Sequence, residues 1–158
     1  MRMGAIISAV VAGVAMLTPH EPRAGTASKC LTEALYFEAR SEGWRGMLAV
    51  GVVIQNRVKH KSYPDTVCGV VRQGQYWQGN PIRNRCQFSY YCDGKRETPD
   101  DRSAWLAASD VAKMLMTTPV SVVGLENSTH YHTVSVRPDW SKRLQRSGKI
   151  GRHIFYHH

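Results

Sequence analysis

Glu38 occupies a position of the sequence where an apolar side chain is expected. It follows Leu31, Ala34 and Leu35 at helical spacing, on the stripe that should face the core of a first helix. Burial disfavours the charged form of a carboxyl group and raises its pKa, which a carboxylic acid needs in order to donate a proton near neutral pH. The spacing makes Glu38 our candidate catalytic acid and leaves open a structural glutamate paired with an arginine.

Arg40 and Glu42 follow Glu38 closely. Glu42 comes one turn after Glu38 on the same side of the predicted helix, whereas Arg40 points elsewhere and could pair with a carboxylate across the fold. We expect a structural or substrate-positioning role for Glu42 and include it among the candidate substrate-binding residues.

The elements that must position these side chains are mostly helical. Hydrophobic periodicity and capping signals predict four helices. These are residues 30–40 after an N-cap at Ser28, residues 46–58 as a buried helix, residues 66–72 capped by Asp65, and residues 102–116 after a capping box of Thr98 and Asp101. Residues 73–100, rich in Gly, Asn and Gln, are predicted to form one long functional loop.

Two segments near the C-terminus alternate between apolar and polar residues. Residues 129–136 and 150–156 are therefore predicted to form two antiparallel strands, with a basic turn around Arg146 to Lys149 between them. Helices dominate the first two thirds and a small hairpin closes the chain, so the predicted fold class is α+β.

Composition limits the function classes. The 158 residues are 42% hydrophobic and 21% charged, which indicates one globular domain rather than a disordered or collagen-like chain. Lys and Arg outnumber Asp and Glu by 21 to 12, so the surface should attract nucleic acid, anionic lipid or acidic wall polymer. The sequence has no Gly-rich phosphate loop and no Ser or Cys nucleophile motif, which disfavours kinases, nucleotide-binding proteins and serine hydrolases.

The N-terminal segment has the pattern of an export signal. After Arg2, residues 3–17 are uncharged and almost wholly apolar, and Gly25 and Ala27 suit cleavage after residue 27. We predict that residues 1–27 are a signal peptide or an uncleaved signal anchor, with a buried core helix as the alternative. Residues 28–158 would then form one domain exported to the periplasm, the cell wall or the medium.

Four cysteines follow the predicted cleavage site: Cys30, Cys68, Cys86 and Cys92. An even number in an exported domain indicates disulfides, and three pairings are possible. Their spacing contains no CxxC pair, which disfavours a zinc ribbon or a thioredoxin-like site.

Several ordered segments between Cys30 and Tyr156 resemble the SleB/CwlJ cell wall hydrolase family. They are Ala34-Leu35-Tyr36-Phe37-Glu38-Ala39-Arg40-Ser41-Glu42-Gly43, Gly46 with Ala49-Val50 and Asn56-Arg57-Val58, Tyr63-Pro64 with Val67-Cys68-Gly69-Val70-Val71, Gln87-Phe88-Ser89, and Gly151-Arg152-His153-Ile154-Phe155-Tyr156. The resemblance implies a compact lysozyme-like domain, similar to lytic transglycosylases and resuscitation factors, that acts on peptidoglycan glycan strands. It also implies that the glutamate of the Glu-Ala-Arg motif, here Glu38, is catalytic.

The implied reaction is cleavage of the β-1,4 bond between N-acetylmuramic acid and N-acetylglucosamine. A lytic transglycosylase uses the muramic acid 6-hydroxyl as nucleophile, so that one carboxylate is enough, whereas a muramidase requires a second. We favour the transglycosylase with Glu38 alone, and Glu42 is the nearby candidate for a second carboxylate. Spore cortex, another bacterial wall and a phage-borne endolysin role all stay open.

Candidate substrate-binding residues are more diffuse. Gln87, Ser89, Tyr131 and His132, together with Glu42, carry the donor and acceptor groups that sugars and N-acetyl amides require. Tyr131 and Tyr156 could equally be core aromatics with satisfied hydroxyl groups.

Two other functions stay open at this point. His130 and His132 share one strand face and His153 and His157 lie on the predicted partner strand, a spacing that could build the zinc site of an amidase acting on the stem peptide. A basic domain with Trp77, Trp105 and Trp140 could instead bind wall polymer without catalysis.

We favour the glycan-cleaving enzyme and expect no metal or cofactor. The expected partner is the peptidoglycan glycan strand rather than nucleic acid. Membrane contact is expected only through the N-terminal segment, and the protein is expected to be a monomer.

Overall fold

The protein is represented by a computed structural model that describes residues 24–158. The predicted signal segment therefore lies outside the described residues, except for its last four, which form the first turn of a helix. The described chain is an α+β domain, as predicted, with four α-helices, five strands and three short 3₁₀ turns.

The elements follow one another in a helical part and a C-terminal sheet. The helices are α1 (Ala24–Ala39), α2 (Gly43–Lys59), α3 (Val67–Val71) and α4 (Arg102–Thr117). The strands are β1 (Gly74–Trp77), β2 (Asn80–Cys86), β3 (His130–Thr133), β4 (Gln145–Ile150) and β5 (His153–His157). The 3₁₀ turns are Arg40–Glu42, Ser89–Cys92 and Asp139–Lys142.

Helices α1, α2 and α4 pack around one apolar core. Leu35 of α1, Val53 of α2 and Val111 of α4 are fully buried within it. Gly51 lets α2 and α4 approach closely, because a Cβ atom at this position would lie 2.2 Å from the side chain of Leu115. Within residues 24–158, no helix combines the length and the apolarity needed to cross a membrane.

The predicted helices are confirmed, but three of their N-caps were wrong. Helix α1 begins four residues before Ser28. Thr66, not Asp65, caps α3, and Asp101 caps α4 without Thr98. Thr66 and Asp101 are the caps because their side-chain oxygens accept hydrogen bonds from the backbone N–H groups three residues later, at 3.1 and 2.9 Å.

The prediction of one long loop over residues 73–100 was wrong. This segment contains an antiparallel hairpin of β1 and β2 and a 3₁₀ turn. Gln78 and Gly79 make the tight connection, with φ values of 48° and 79°. Two central residues with positive φ match the turn type that suits the twist of a hairpin. The strands are almost entirely exposed, so their sequence lacks the alternation that reveals a half-buried strand.

The C-terminal sheet has the order β3-β5-β4, with both pairs antiparallel. The predicted pairing of the segments holding β3 and β5 is confirmed, with His132 opposite Ile154. The predicted basic turn at Arg146 to Lys149 was wrong, because these residues belong to β4. Strand β4 pairs on one side only and is largely polar, which hides it from an apolar pattern.

Two disulfides fix one of the three possible pairings. Cys30–Cys68 joins α1 to α3, and Cys86–Cys92 joins the end of β2 to the 3₁₀ turn that follows it. The first links elements distant in sequence, and the second holds the base of the hairpin.

Candidate active site

A cleft of about 730 Å³ opens between the helical part and the C-terminal sheet. Five of the predicted site residues line it: Glu38, Gln87, Ser89, Tyr131 and His132. They come from three regions that are far apart in sequence, namely the last turn of α1, the segment after β2, and β3. The fold thus brings into one cleft five residues that were each predicted separately from the sequence.

Glu38 lies partly buried at the wall of this cleft. Its Oε2 atom accepts a hydrogen bond of 3.0 Å from the hydroxyl group of Tyr131. Burial raises the pKa of Glu38 above its ordinary value, although the Tyr131 hydrogen bond and the positive charge of Arg57 oppose this rise. Glu38 is thus a carboxyl group that holds its proton more firmly than usual and still has a ready donor for its ionised form.

Arg57 is a buried cation on the cleft wall, only 6% exposed. Its Nε atom donates to the carbonyl oxygen of Thr129 at 2.7 Å, and its guanidinium carbon lies 5.4 and 5.5 Å from the ring centres of Tyr63 and Phe88. Burial lowers the pKa of Arg57, yet an arginine keeps its charge in proteins. Arg57 therefore supplies a fixed positive charge near Glu38.

Sequence reasoning missed Arg57, although a signal was present. Arg57 follows Val50 by seven residues and Val53 by four, so it lies on the buried stripe of α2. Arg57 thus lies on the buried stripe of α2 as Glu38 lies on that of α1, and both side chains line the same cleft.

Tyr90 is a second cleft residue that the sequence did not single out. Its ring stacks on Phe37 at a centroid distance of 4.9 Å, and its side chain is 8% exposed. Its buried hydroxyl group has no hydrogen-bond partner among the described residues. Burial, with the nearby charges of Glu33 and Glu38, raises the pKa of Tyr90 and keeps the hydroxyl protonated. The wall of the cleft thus contains a buried donor that has no partner among the described residues.

The predicted pairing of Arg40 across the fold is present. Its Nη1 atom lies 2.6 Å from Oδ1 of Asp100, which also accepts a hydrogen bond of 2.7 Å from the buried Tyr36 hydroxyl. These contacts lower the pKa of Asp100 to about 2, the Tyr36 bond contributing most. Asp100 is held as an ionised anchor between α1 and the start of α4 and is not a free proton carrier.

Glu42 does not line the cleft. Its Oε2 atom accepts a 2.7 Å hydrogen bond from the backbone N–H of Arg152, in the turn between β4 and β5. Gly151 in that turn has a φ of 54°, and a Cβ atom there would lie 2.0 Å from this oxygen. Of the two roles expected for Glu42, the structure matches the structural one.

The carboxylates that line the cleft with Glu38 come from another segment. Asp93 and Glu97 line the cleft, whereas Glu42 was the second carboxylate suggested by the sequence. The Oδ1 atom of Asp93 accepts a hydrogen bond of 2.7 Å from the backbone N–H of Lys95. Closeness to Glu38 along the sequence was therefore a poor guide to which carboxylates line the cleft.

The histidines fall into separate environments. The Nδ1 atom of His132 lies 2.8 Å from the Thr133 carbonyl oxygen, and its Nε2 atom lies 2.9 Å from the Tyr156 hydroxyl. Both ring nitrogens of His132 are thereby engaged within the protein, and Tyr156 is the core aromatic with a satisfied hydroxyl that one reading of the sequence expected. Burial lowers the pKa of His130 to about 4 and also lowers that of His153.

These histidines do not assemble into a cation site. Across residues 24–158, no group of three or more His, Cys, Asp or Glu side chains is arranged to hold a metal ion. The spacing that suggested a zinc amidase therefore has no matching donor cluster in the described part of the chain.

Comparison with known proteins places the chain among the cell wall hydrolases. A family model described as Cell Wall Hydrolase matches residues 41–156, most of the chain, and the protein belongs to this family. The match begins three residues after Glu38 and spans Arg57, Tyr90 and Tyr131. This membership confirms the resemblance found in the sequence.

A curated relative supports the assignment. The spore cortex-lytic enzyme of Oceanobacillus iheyensis is 27% identical over 130 residues, which cover 79% of this chain and 39% of the relative. The chain thus spans about two fifths of the length of this curated relative.

Solved structures agree in fold. The catalytic domain of the Bacillus cereus SleB protein has a TM-score of 0.58 and 26% identity, covering 84% of this chain and 90% of that one. The catalytic domain of the germination-specific lytic transglycosylase SleB from Bacillus anthracis has a TM-score of 0.62 and 26% identity, covering 88% and 99%. The predicted fold class is confirmed.

Proposed function

We propose that this protein cleaves the β-1,4 bond between N-acetylmuramic acid and N-acetylglucosamine in peptidoglycan as a lytic transglycosylase, with Glu38 as its one catalytic carboxyl group. The observation that carries the proposal is the desolvated Glu38 carboxyl, bonded to Tyr131 at 3.0 Å on the wall of an open cleft. Family membership and the printed activity of the Bacillus anthracis relative support it.

The reaction uses Glu38 twice. The protonated carboxyl first donates its proton to the glycosidic oxygen, the bond from that oxygen to muramic acid C1 breaks, and positive charge develops at C1. The resulting carboxylate then takes the proton of the muramic acid 6-hydroxyl, whose oxygen attacks C1 and closes a 1,6-anhydro ring. The proton lost in the first step is regained in the second, so the enzyme returns to its starting state.

Tyr131 and Arg57 stabilise Glu38 between these two steps. After the first proton transfer Glu38 is an anion in a site that disfavours charge. The Tyr131 hydroxyl donates to it at 3.0 Å, and the Arg57 charge lowers the free energy of the ionised form. The developing positive charge at C1 adds to this stabilisation, because opposite charges attract strongly in a poorly solvated cleft.

Analysis of the products tests the transglycosylase directly. We expect mass spectrometry of digested wall to find 1,6-anhydromuramic acid ends, because the 6-hydroxyl of the substrate is the nucleophile. Reducing muramic acid ends would contradict this and identify a muramidase, in which Asp93 or Glu97 would be the candidates to direct water. A mutanolysin digest of the same wall provides the reference for reducing ends.

We also propose that Tyr90 contacts the substrate. Tyr90 lines the same cleft as Glu38, and its hydroxyl, buried in the cleft wall without a partner among the described residues, would turn outward to donate to the substrate. The strongest neutral acceptor on the substrate sugars is the carbonyl oxygen of the N-acetyl group. The apolar face of Phe37 beneath Tyr90 suits the methyl group of the same acetamide.

Tyr90→Phe is expected to lower kcat/KM on purified wall about tenfold, the effect of losing one hydrogen bond to substrate. The midpoint temperature of its thermal unfolding should be unchanged or slightly higher, because the hydroxyl that is removed has no partner among the described residues. Turbidity assays and calorimetry measure the two effects. Tyr91→Phe is the matched control, since Tyr91 lies outside the cleft lining. Full activity of Tyr90→Phe would contradict the contact.

The location of action follows from the substrate. We propose that residues 1–27 direct export as a signal peptide or signal anchor and that residues 28–158 act as a monomer in the periplasm, the cell wall or the medium. The excess of basic residues supports attraction to an anionic polymer, and membership of a cell wall hydrolase family supports peptidoglycan as that polymer.

A further inference from the structure

The β1–β2 hairpin is an exposed arm whose base forms part of the cleft wall. Strand β2 ends at Cys86, and Gln87 and Ser89, which follow directly, line the cleft. The Cys86–Cys92 disulfide and a 2.9 Å bond from the Gln87 N–H to the Gln73 carbonyl oxygen fix this base. The four residues of β1 extend about 13 Å at strand spacing, and the strands are exposed along this length.

One face of the hairpin is turned to the protein. The Tyr76 hydroxyl donates to the Arg72 carbonyl oxygen at 2.7 Å, and the Arg83 Nε atom donates to the Asp93 carbonyl oxygen at 3.1 Å. Asp93 itself lines the cleft. Tyr76 pairs with Pro81, and both bonds join the hairpin to residues at its base.

The opposite face is free and has the chemistry of a sugar-binding surface. Trp77 and Ile82 lie on it and are 71% and 38% exposed, with the exposed amides of Gln75 and Asn80 beside them. An exposed apolar patch bordered by polar groups marks an interaction site. An indole ring offers a flat apolar surface for a sugar ring, and amides offer both donors and acceptors for hydroxyl and acetamido groups.

The charge of this region fits an anionic polymer. No Asp or Glu occurs between Asp65 and Asp93, whereas Arg72, Arg83 and Arg85 fall in that interval and are exposed. Peptidoglycan carries carboxylates on the stem peptides that are attached to the muramic acid units of its glycan strands. The positive charge of the region around the arm thus suits an anionic polymer, and the apolar and amide groups of its outer face suit the sugars of that polymer.

We infer that the outer face of the β1–β2 hairpin, with Trp77 at its centre, binds sugars of the glycan strand outside the catalytic cleft and so holds the enzyme on the insoluble wall. This inference rests on the proposed function. In this inference the arm binds long glycan strands and takes no part in cleaving the glycosidic bond.

Trp77→Ala tests the inference. In an inactive Glu38→Gln background, we expect sedimentation with purified sacculi to show about tenfold weaker binding for Trp77→Ala, the effect of losing one aromatic contact. In the active enzyme, lysis of sacculi should slow while cleavage of short soluble glycan fragments stays unchanged. Trp44→Ala is the matched control, because Trp44 is 53% exposed on α2, away from the hairpin.

Each outcome has a distinct meaning. Equal binding of Trp77→Ala and Trp44→Ala to sacculi would overturn the inference. Loss of binding to phosphatidylglycerol vesicles in Trp77→Ala, with sacculus binding retained, would overturn it in favour of a membrane-binding face. A wild-type enzyme that cuts neither sacculi nor soluble fragments would contradict the proposed function instead, and the binding comparison in the Glu38→Gln background would still decide the role of the arm.

Discussion

Replacing Glu38 by glutamine is expected to abolish lysis of purified wall, with a loss of about 10² to 10⁴ in rate. The amide has nearly the shape of the carboxyl group and still accepts the hydrogen bond of Tyr131, but it cannot donate the proton that the glycosidic oxygen requires. A turbidity assay on sacculi measures the effect. Glu33→Gln is the matched control, because Glu33 lies on the same helix and pairs with Lys29 outside the cleft lining.

The pH dependence of stability gives Glu38→Gln a second readout. Because the pKa of Glu38 is raised in the folded protein, its contribution to stability is complete below the ordinary pKa of 4.5 and is lost as the pH rises through the raised value. Glutamine does not titrate. The variant should therefore gain stability relative to wild type between acidic and neutral pH, as thermal unfolding at both pH values would measure.

The two readouts separate catalysis from folding. An inactive variant that unfolds at a lower temperature than wild type at neutral pH would point to a structural glutamate. A well-folded variant that retains a third of wild-type activity would exclude Glu38 as the catalytic acid.

Replacing Arg57 by methionine is expected to cost about 10² in kcat, comparable with the loss of one electrostatic contact in a catalytic site. Arg57 supplies the charge that lowers the pKa of Glu38, so its removal should raise that pKa further. Glu38 must be protonated to begin the reaction, so the fall of kcat/KM on the alkaline side should move to higher pH. The variant should also lose about 1 to 3 kcal/mol of stability, because the Thr129 carbonyl oxygen loses its donor.

A pH series of initial rates measures this displacement. Arg45→Met, an exposed arginine on the same helix, is the control for the loss of one positive charge. In the Glu38→Gln background, Arg57→Met should have little further effect on activity, because there is no carboxylate left to stabilise. An alkaline limb that stays at the wild-type pH would show that Arg57 acts only through packing.

The sequence by itself determined the features that depend on neighbours along the chain. Helix α4 and the strand pair β3–β5 were predicted because apolar residues recur at the period of each element, and α2 was predicted because its nearly continuous apolar run is too long for a strand. Glu38 was found by the same reasoning, since a carboxyl group on the apolar stripe of α1 is visible from spacing alone. Its hydrogen bond with Tyr131 was not visible in this way.

Only the tertiary structure decided which polar groups meet. Glu42, close to Glu38 along the helix, bonds to the turn at Arg152, whereas Arg57 and Tyr131 reach Glu38 from α2 and β3. The unused hydroxyl of Tyr90 and the pairing of Cys30 with Cys68 also depend on the packing of distant segments. Periodicity records which face of an element is buried, but the partner across that face is set by helix and strand contacts that no local pattern encodes.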